Sequence, residues 1–242
     1  MNFEEFYSEC RVAFAQNSLP PLTEEQAKAF FSLTEIMLET NKSMNLTAIK
    51  DEKAVILKHY VDSLLVSPFI PGGATVLDVG CGAGFPTFPL AITRPDLTIV
   101  ALDSTAKRIA YVQRTAHALG LSNITAIAAR AEELAQLSAH REKYDVVTAR
   151  AVAALPVLAE LCLPFARIGG IFLPLKAKQA AEEVSAAKNA IATCGGRLTD
   201  THTFLLLGGD EPEPRTLACI SKISATPKNY PRHFSKISKK PL

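Results

Sequence analysis

A chain of 242 residues that is 48% hydrophobic, 21% charged and 7% aromatic has the size of one α/β unit with an appendage. That composition excludes low-complexity disorder, collagen and extended coiled coil. The net charge of +2 hides an asymmetry: from residue 214 onward there are seven cations (Arg215, Lys222, Lys228, Arg232, Lys236, Lys239 and Lys240) and no acid, so the rest is net acidic. Such an end suits either contact with a polyanion or simple solubility.

No run of about 18 apolar residues is present, so no membrane span is expected. The acidic opening Met1-Asn2-Phe3-Glu4-Glu5 lacks the basic and apolar regions of a signal peptide. Five scattered cysteines with no C-x-x-C pair suit a reducing cytoplasm and suggest no metal site.

The first seventy residues read as a helical extension. Residues 3–16 form one segment, and Pro20-Pro21 breaks it. Thr23-Glu24-Glu25-Gln26 is a capping box, after which Ala27, Phe30, Leu33 and Met37 recur at helical spacing. Asn41 to Thr47 is loop-like, and Asp51 caps a third helix with an apolar stripe through Ile56, Tyr60 and Leu64. His59 and Asp62 lie off that stripe, where a surface pair is the plainer reading.

The region 71–224 reads differently. Short apolar runs at 74–79, 97–102, 124–128, 144–148 and 170–175 alternate with helical stretches near 86–93, 104–119, 131–139, 154–166 and 178–193. Strand-like segments at 201–207 and 216–223 flank the turn Gly208-Gly209-Asp210. This alternation predicts a Rossmann-like, mainly parallel seven-stranded sheet closed by an antiparallel hairpin. Residues 225–242 show no apolar periodicity and read as a mobile basic tail.

The sharpest signal is Val76-Leu77-Asp78-Val79-Gly80-Cys81-Gly82-Ala83-Gly84-Phe85-Pro86, between a strand and a helix. Gly80, Gly82 and Gly84 permit a tight turn and close approach of a ligand. Phe85 occupies the sixth position, so the dinucleotide fingerprint fails, and no Gly-Lys-Ser/Thr follows for a Walker loop. Asp78 would oppose a pyrophosphate and favour a ligand with a cationic end, such as S-adenosylmethionine. Asp103, at the end of the second strand, can hold ribose hydroxyls, and Glu132, past the third, can face the base. Each acid is otherwise an ordinary helix cap.

Taken with these motifs, the chain resembles class I S-adenosylmethionine-dependent methyltransferases. More narrowly it resembles the bacterial 16S ribosomal RNA guanine-N7 methyltransferases (RsmG, or glucose-inhibited division protein B). The carriers are Asn41…Met44-Asn45-Leu46-Thr47, His59-Tyr60-Val61-Asp62-Ser63, the glycine loop, Leu102-Asp103-Ser104 with Lys107-Arg108, Arg130-Ala131-Glu132, Ala149-Arg150-Ala151 and Tyr230-Pro231-Arg232. Thr40, Thr87 and Ala177 depart from the family's Trp, Gly and Gly. The resemblance implies that Gly80, Phe85, Ala131, Glu132 and Arg150 line the cofactor site. Asn41, Asn45, His59, Lys176 and Arg232 are the candidate substrate contacts, with loop capping, surface pairing and salt bridges as alternative roles for such residues.

Absences fit the implied reaction. The loop after the fourth strand, Thr148-Ala149-Arg150-Ala151, lacks the Asp/Asn-Pro-Pro-aromatic motif of exocyclic-amine methylation, and no Pro-Cys nucleophile for cytosine C5 occurs. Guanine N7 carries a free lone pair and loses no proton, so no general base is assigned and positioning carries the catalysis. The expected partner is 16S RNA, in the 30S subunit or an assembly intermediate, met by a monomer. The alternatives are a methyltransferase of this fold acting on a small molecule or protein, and a non-catalytic, cofactor-responsive RNA-binding protein.

Overall fold

The structure, a computed structural model, describes residues 1–176 and 180–242. Helix α1 (Phe3–Gln16) starts with Asn2 as cap, and α2 (Glu24–Met44) starts with the Thr23/Gln26 capping box read from the sequence. Asp51 caps α3 (Glu52–Val55) by accepting from Ala54 N at 2.9 Å. The chain then widens into a π-helical segment, Ile56–Val61, before α4 (Asp62–Leu64). This segment is covered on nearly every side. The Tyr60 ring lies 4.5 Å from Phe30, and its hydroxyl shares a 2.6 Å hydrogen bond with Thr34 Oγ1. Tyr60, Phe30, Phe6 and Phe88 are all fully buried, each contributing roughly 1.5–3 kcal/mol or more of transfer energy. The N-terminal helices therefore share one continuous apolar cluster with a face of the sheet.

Strands β1 (Thr75–Val79), β2 (Thr98–Asp103), β3 (Ile124–Ala128), β4 (Tyr144–Arg150) and β5 (Ala166–Lys176) pair in parallel. They are linked through α5 (Thr87–Thr93), α6 (Ala106–Ala118), α7 (Ala131–Leu134) and α8 (Leu155–Cys162). Helices α9 (Ala180–Ala186) and α10 (Lys188–Thr193) lead to β6 (Gly196–Leu206) and β7 (Glu213–Lys222), which are antiparallel to one another; β7 is also antiparallel to β5. The resulting seven-stranded order is β3-β2-β1-β4-β5-β7-β6. Val76, Leu77, Ile99, Val146 and Val147 are wholly buried, as strands covered on both faces require. The chain runs outward from β1 to β3 and returns to β4 on the other side of β1, so a crevice opens at the C-terminal ends of β1 and β4.

Several boundaries differ from the sequence expectation. The stretch 131–139 is helical only through Leu134. The 154–166 helix ends at Cys162, because Pro164 turns the chain into a short 3-10 segment, Leu163–Phe165. Of the 178–193 helix, 178 and 179 lie outside the described residues, as does Ala177, and the remainder divides into α9 and α10. Strand β6 begins at Gly196, five residues before the expected start, on a stretch whose Arg197, Thr199 and Asp200 are exposed and which offers only Leu198 as an apolar signal.

The last eighteen residues are docked, contrary to the expectation of a mobile tail. Helix α11 (Phe234–Lys239) buries Ile237 completely. Arg141 donates to the carbonyls of Thr226, Pro227 and Tyr230 at 2.8–3.1 Å. Three of the seven cations are spent inside the fold. Arg215 bonds Asp62, Arg232 bonds the wholly buried Glu160, and buried Lys222 bonds Leu163 O, Thr226 Oγ1 and Glu142. Burial pushes the Lys222 ammonium below its usual pKa. Lys228, Lys236, Lys239 and Lys240 remain exposed.

Candidate functional site

The loop after β1 is held by its own chain. Gly80 N and Cys81 N donate to Leu102 O at 2.7 and 3.0 Å, and Gly82 N donates to Asp103 Oδ2 at 3.1 Å. Gly84 N and Phe85 N both donate to Cys81 O, at 2.8 and 3.2 Å. Pro86 brings no N–H. An anion site at a helix N-terminus needs unsatisfied amides, and these five are already satisfied. Gly80 and Gly84 have φ of +75° and +88°. A Cβ on Gly80 would stand 2.6 Å from Val152 Cγ2, and one on Gly84 would stand 2.2 Å from the Phe88 ring. Glycine is therefore required at both positions for conformation and for space.

Asp78 lies behind this loop, 1% exposed. Its Oδ2 accepts from Thr87 Oγ1 at 2.7 Å, while Oδ1 is buried without a partner. Thr87, where the resembled family has Gly, thus anchors the start of α5 to β1. Burial pushes the Asp78 carboxyl up to about 6, against the opposing effect of the Thr87 hydrogen bond. A buried half-satisfied carboxylate of this kind is stabilised in its charged form by a cation and opposed by a phosphate.

Three cavities meet along the crevice. The first, about 280 Å³, runs across the ends of β1, β2 and β3 and is walled by Gly80, Asp103, Ala131 and Glu132 among others. Asp103 also accepts from Thr105 N at 2.8 Å and lies 3.5 Å from Arg108 Nη1. The second, about 420 Å³, lies between the π-helical segment and the ends of β4 and β5, with Lys58, His59, Asp62, Arg150, Lys176 and Arg215 on its walls. A smaller one of about 230 Å³ shares Gly80 and Arg108 with the first, His59 and Arg150 with the second, and Ala151 with both. Ala151, at φ +56°, turns the chain sharply at this junction.

The junction is a polar cluster sealed by an aromatic stack. Asp62 accepts from Arg150 Nη1 at 2.9 Å and from Arg215 Nε at 2.7 Å. Arg150 also donates to Lys58 O at 2.8 Å and approaches His59 Nδ1 at 3.4 Å. A guanidinium only donates, so Nδ1 is the acceptor and the ring proton sits on Nε2, facing Thr47 Oγ1 at 2.9 Å. Burial and the Arg150 charge hold His59 down at about 4, leaving it neutral. Its ring stacks on Phe85 at 4.4 Å, and Arg150 lies 5.7 Å from the same ring.

The sequence-predicted residues separate accordingly. Gly80, Asp103, Ala131 and Glu132 line the first cavity, while Gly82, Phe85 and Arg150 line the junction. Asp78 and Gly84 shape the loop from behind without lining any of the three. His59 and Asp62 are buried and not a surface pair: the π turn and the sheet ends enclose them. Lys58, on the same segment, pairs with Glu213 at 2.8 Å. Asn41 clamps Thr47 through two 2.9 Å hydrogen bonds, and Asn45 is the left-handed C-cap of α2. Lys176 Nζ bonds Ala153 O and Glu183, each at 2.8 Å, on the wall of the second cavity. Arg232 is committed to Glu160 and lines none of the three cavities.

Sequence reading assigned no role to Arg108, Arg130, Val152 or Phe234 on the first cavity, or to Glu183 on the second. It counted Arg215 only as charge. Lys107-Arg108 at the start of α6 was the available signal for Arg108, and the Phe234/Ile237 spacing was the signal for α11.

The comparisons with known proteins agree on the family. The family described as rRNA small subunit methyltransferase G matches residues 26–207. Proteins named ribosomal RNA small subunit methyltransferase G are 42% identical in Leuconostoc citreum (225 residues; 91% of this chain, 93% of that one) and 44% identical in Deinococcus deserti (217 residues; 88% and 87%). Among solved structures, M. jannaschii TYW2 in complex with AdoMet superposes with a TM-score of 0.52 at 17% identity, covering 68% of this chain and 76% of that one. The cyclase SpnF superposes at 0.56 and 13% identity, covering 83% and 97%. Likeness at this level speaks for the fold alone. The matches to relatives span nearly the whole chain, including the glycine loop, the acid-walled crevice and the Asp62–Arg150 junction, and the chain belongs to the rRNA small subunit methyltransferase G family.

Proposed function

We propose that this protein transfers a methyl group from S-adenosylmethionine to N7 of a guanine in 16S ribosomal RNA, presented in the 30S subunit or its assembly intermediate to a monomeric, cytoplasmic enzyme. The observation that carries the cofactor assignment is the glycine loop, five of whose amides are spent within the chain above the unpartnered oxygen of buried Asp78. Such a loop suits a phosphate-free ligand with a cationic end and disfavours a dinucleotide.

In this reading Asp103 holds the ribose hydroxyls, and Ala131 and Glu132 hold the adenine. Gly80 gives the backbone approach, and the charge of Asp78 favours the ammonium. Bound there, S-adenosylmethionine supplies a methyl group on a sulfonium, which a ring nitrogen with a free lone pair takes without loss of a proton. The chain's residues then have to hold the base and exclude water, an advantage that reaches about 7–11 kcal/mol in well-oriented systems. The target base enters by the second cavity, where Lys58, Lys176 and Arg150 offer positive charge to its phosphates. Neutral His59 and paired Asp62 hold Arg150 in place without acting as a base. Among the described residues no helix is long and apolar enough to cross a membrane.

The test is incubation of purified protein with labelled cofactor and 30S subunits from a strain lacking the gene, followed by mapping of the modified base. Label on N7 of a single guanine is expected. Label on an exocyclic amine, or none in ribosomal RNA while a protein or small molecule accepts it, would overturn the assignment.

A further inference from the structure

The C-terminal segment reaches back into the first cavity. Phe234, the first residue of α11, stands on the cavity wall with Arg130, Ala131 and Glu132, and the Arg130 guanidinium lies 5.5 Å from its ring centroid. These residues follow β3, the outermost strand on that side, so the ring lies at the end of the crevice beyond Asp103.

The anchoring of this segment fixes that ring. Arg232, two residues earlier, donates through its backbone N and Nε to Glu160 Oε1, each at 2.8 Å, and through Nη2 to Oε2 at 2.6 Å. Glu160 is wholly buried, so this bidentate pair is shielded from water. Gln136 Nε2 donates to Pro231 O at 3.0 Å, and Ile237, one turn past Phe234, is fully buried. Phe234 itself stays half-buried, with the cavity on one side. An aromatic ring held from two directions and left open toward a ligand cavity has the form of a nucleobase wall.

We propose that Phe234 is a cofactor-binding residue that forms the outer wall of the adenine end of the site. The C-terminal eighteen residues thereby complete that site, in addition to carrying surface lysines. The inference rests on the reading of the first cavity as the S-adenosylmethionine site.

The test is calorimetric titration of the full-length protein with S-adenosylhomocysteine and with 5′-methylthioadenosine, for wild type, Phe234→Leu and Phe234→Tyr. Removing the stack between base and ring predicts roughly 5- to 150-fold weaker binding of both ligands to Phe234→Leu. Phe234→Tyr should stay within about twofold of wild type, and the ligand-free melting temperatures of all three should agree. As a second measurement that leaves packing intact, 4-fluorophenylalanine at position 234 should show a fluorine shift with methylthioadenosine and none with methionine. A Phe234→Leu affinity within about twofold of wild type, or a fluorine signal that ignores methylthioadenosine, overturns the inference. Failure of wild type to bind either ligand instead overturns the reading of the cavity.

Discussion

Asp62→Asn is the most informative single change at the junction. Asp62 binds Arg150 at 2.9 Å and Arg215 at 2.7 Å, with side-chain exposures of 9%, 15% and 11%. The asparagine keeps the shape but removes the charge, and its amide nitrogen turns a donor toward one guanidinium that also only donates. Arg215 retains Glu213 Oε2 at 3.0 Å, whereas Arg150 keeps only the Lys58 carbonyl and the His59 ring. Breaking a buried pair by removing one partner typically costs about 3–5 kcal/mol. The retained Glu213 bond puts the expectation at the lower end, about 3 kcal/mol. For a chain of this length that lowers the melting temperature by about 6–12 °C. Urea unfolding at pH 7.5 measures it, with Arg150→Met and Asp62→Asn/Arg150→Met completing the cycle. Removing the stranded cation should recover part of the loss. A cost below about 1 kcal/mol, or no recovery in the double variant, would show that the cluster is solvated and that the N-terminal helices do not depend on it.

The Asp78 carboxyl, raised to about 6 by burial, should ionise more readily when a cationic ligand binds. Affinity for S-adenosylhomocysteine should therefore rise with pH through about 6 and level off above it, by at most tenfold per pH unit; Asp78→Asn should flatten the calorimetric pH profile. His59, held near 4, should contribute no limb to activity between pH 6 and 8, and a pH–rate profile of the wild type against His59→Gln checks this. Gly84→Ala meets the buried Phe88 ring at 2.2 Å as well as an unfavourable φ, so it should cost about 2–5 kcal/mol in thermal denaturation. Gly82→Ala, whose nearest neighbour is Gly80 O at 3.9 Å, should cost only about 1–2 kcal/mol. Replacing exposed Lys236, Lys239 and Lys240 with Ala should reduce the salt slope of RNA binding by about 0.7 for each single-strand phosphate left without its cation, measured by filter binding across ionic strengths.

The parallel core was legible because burial on both faces leaves an unmistakable trace, as in Val76-Leu77 and Val146-Val147. The capping groups of Thr23 and Asp51 were equally plain, since they act within four residues of themselves. What escaped was the outcome of distant pairings. His59 and Asp62 look solvent-facing on a regular α-helix, and only the π turn and the sheet ends against it make them interior. Arg215 and Lys222 looked like surface charge because their acids, Asp62 and Glu142, lie 153 and 80 positions away. The docking of α11 was hidden for the same reason: its anchor Glu160 sits 72 residues upstream of Arg232. Asp103 and Glu132 drew notice in the sequence only together with Asp78, as acids at consecutive strand ends, and the two do line one cavity; Phe234 reaches that cavity only through tertiary folding.

The self-bonded turn behind the crevice has one more consequence. A loop with five of its donors settled beforehand has little left to reorganise, so on the proposed reading recognition there would work as a mould and not as a clasp. Discrimination against nucleotides carrying phosphates would then need no steric gate. On the proposed reading, such a guest would meet five amides already engaged and the Asp78 carboxylate standing behind them.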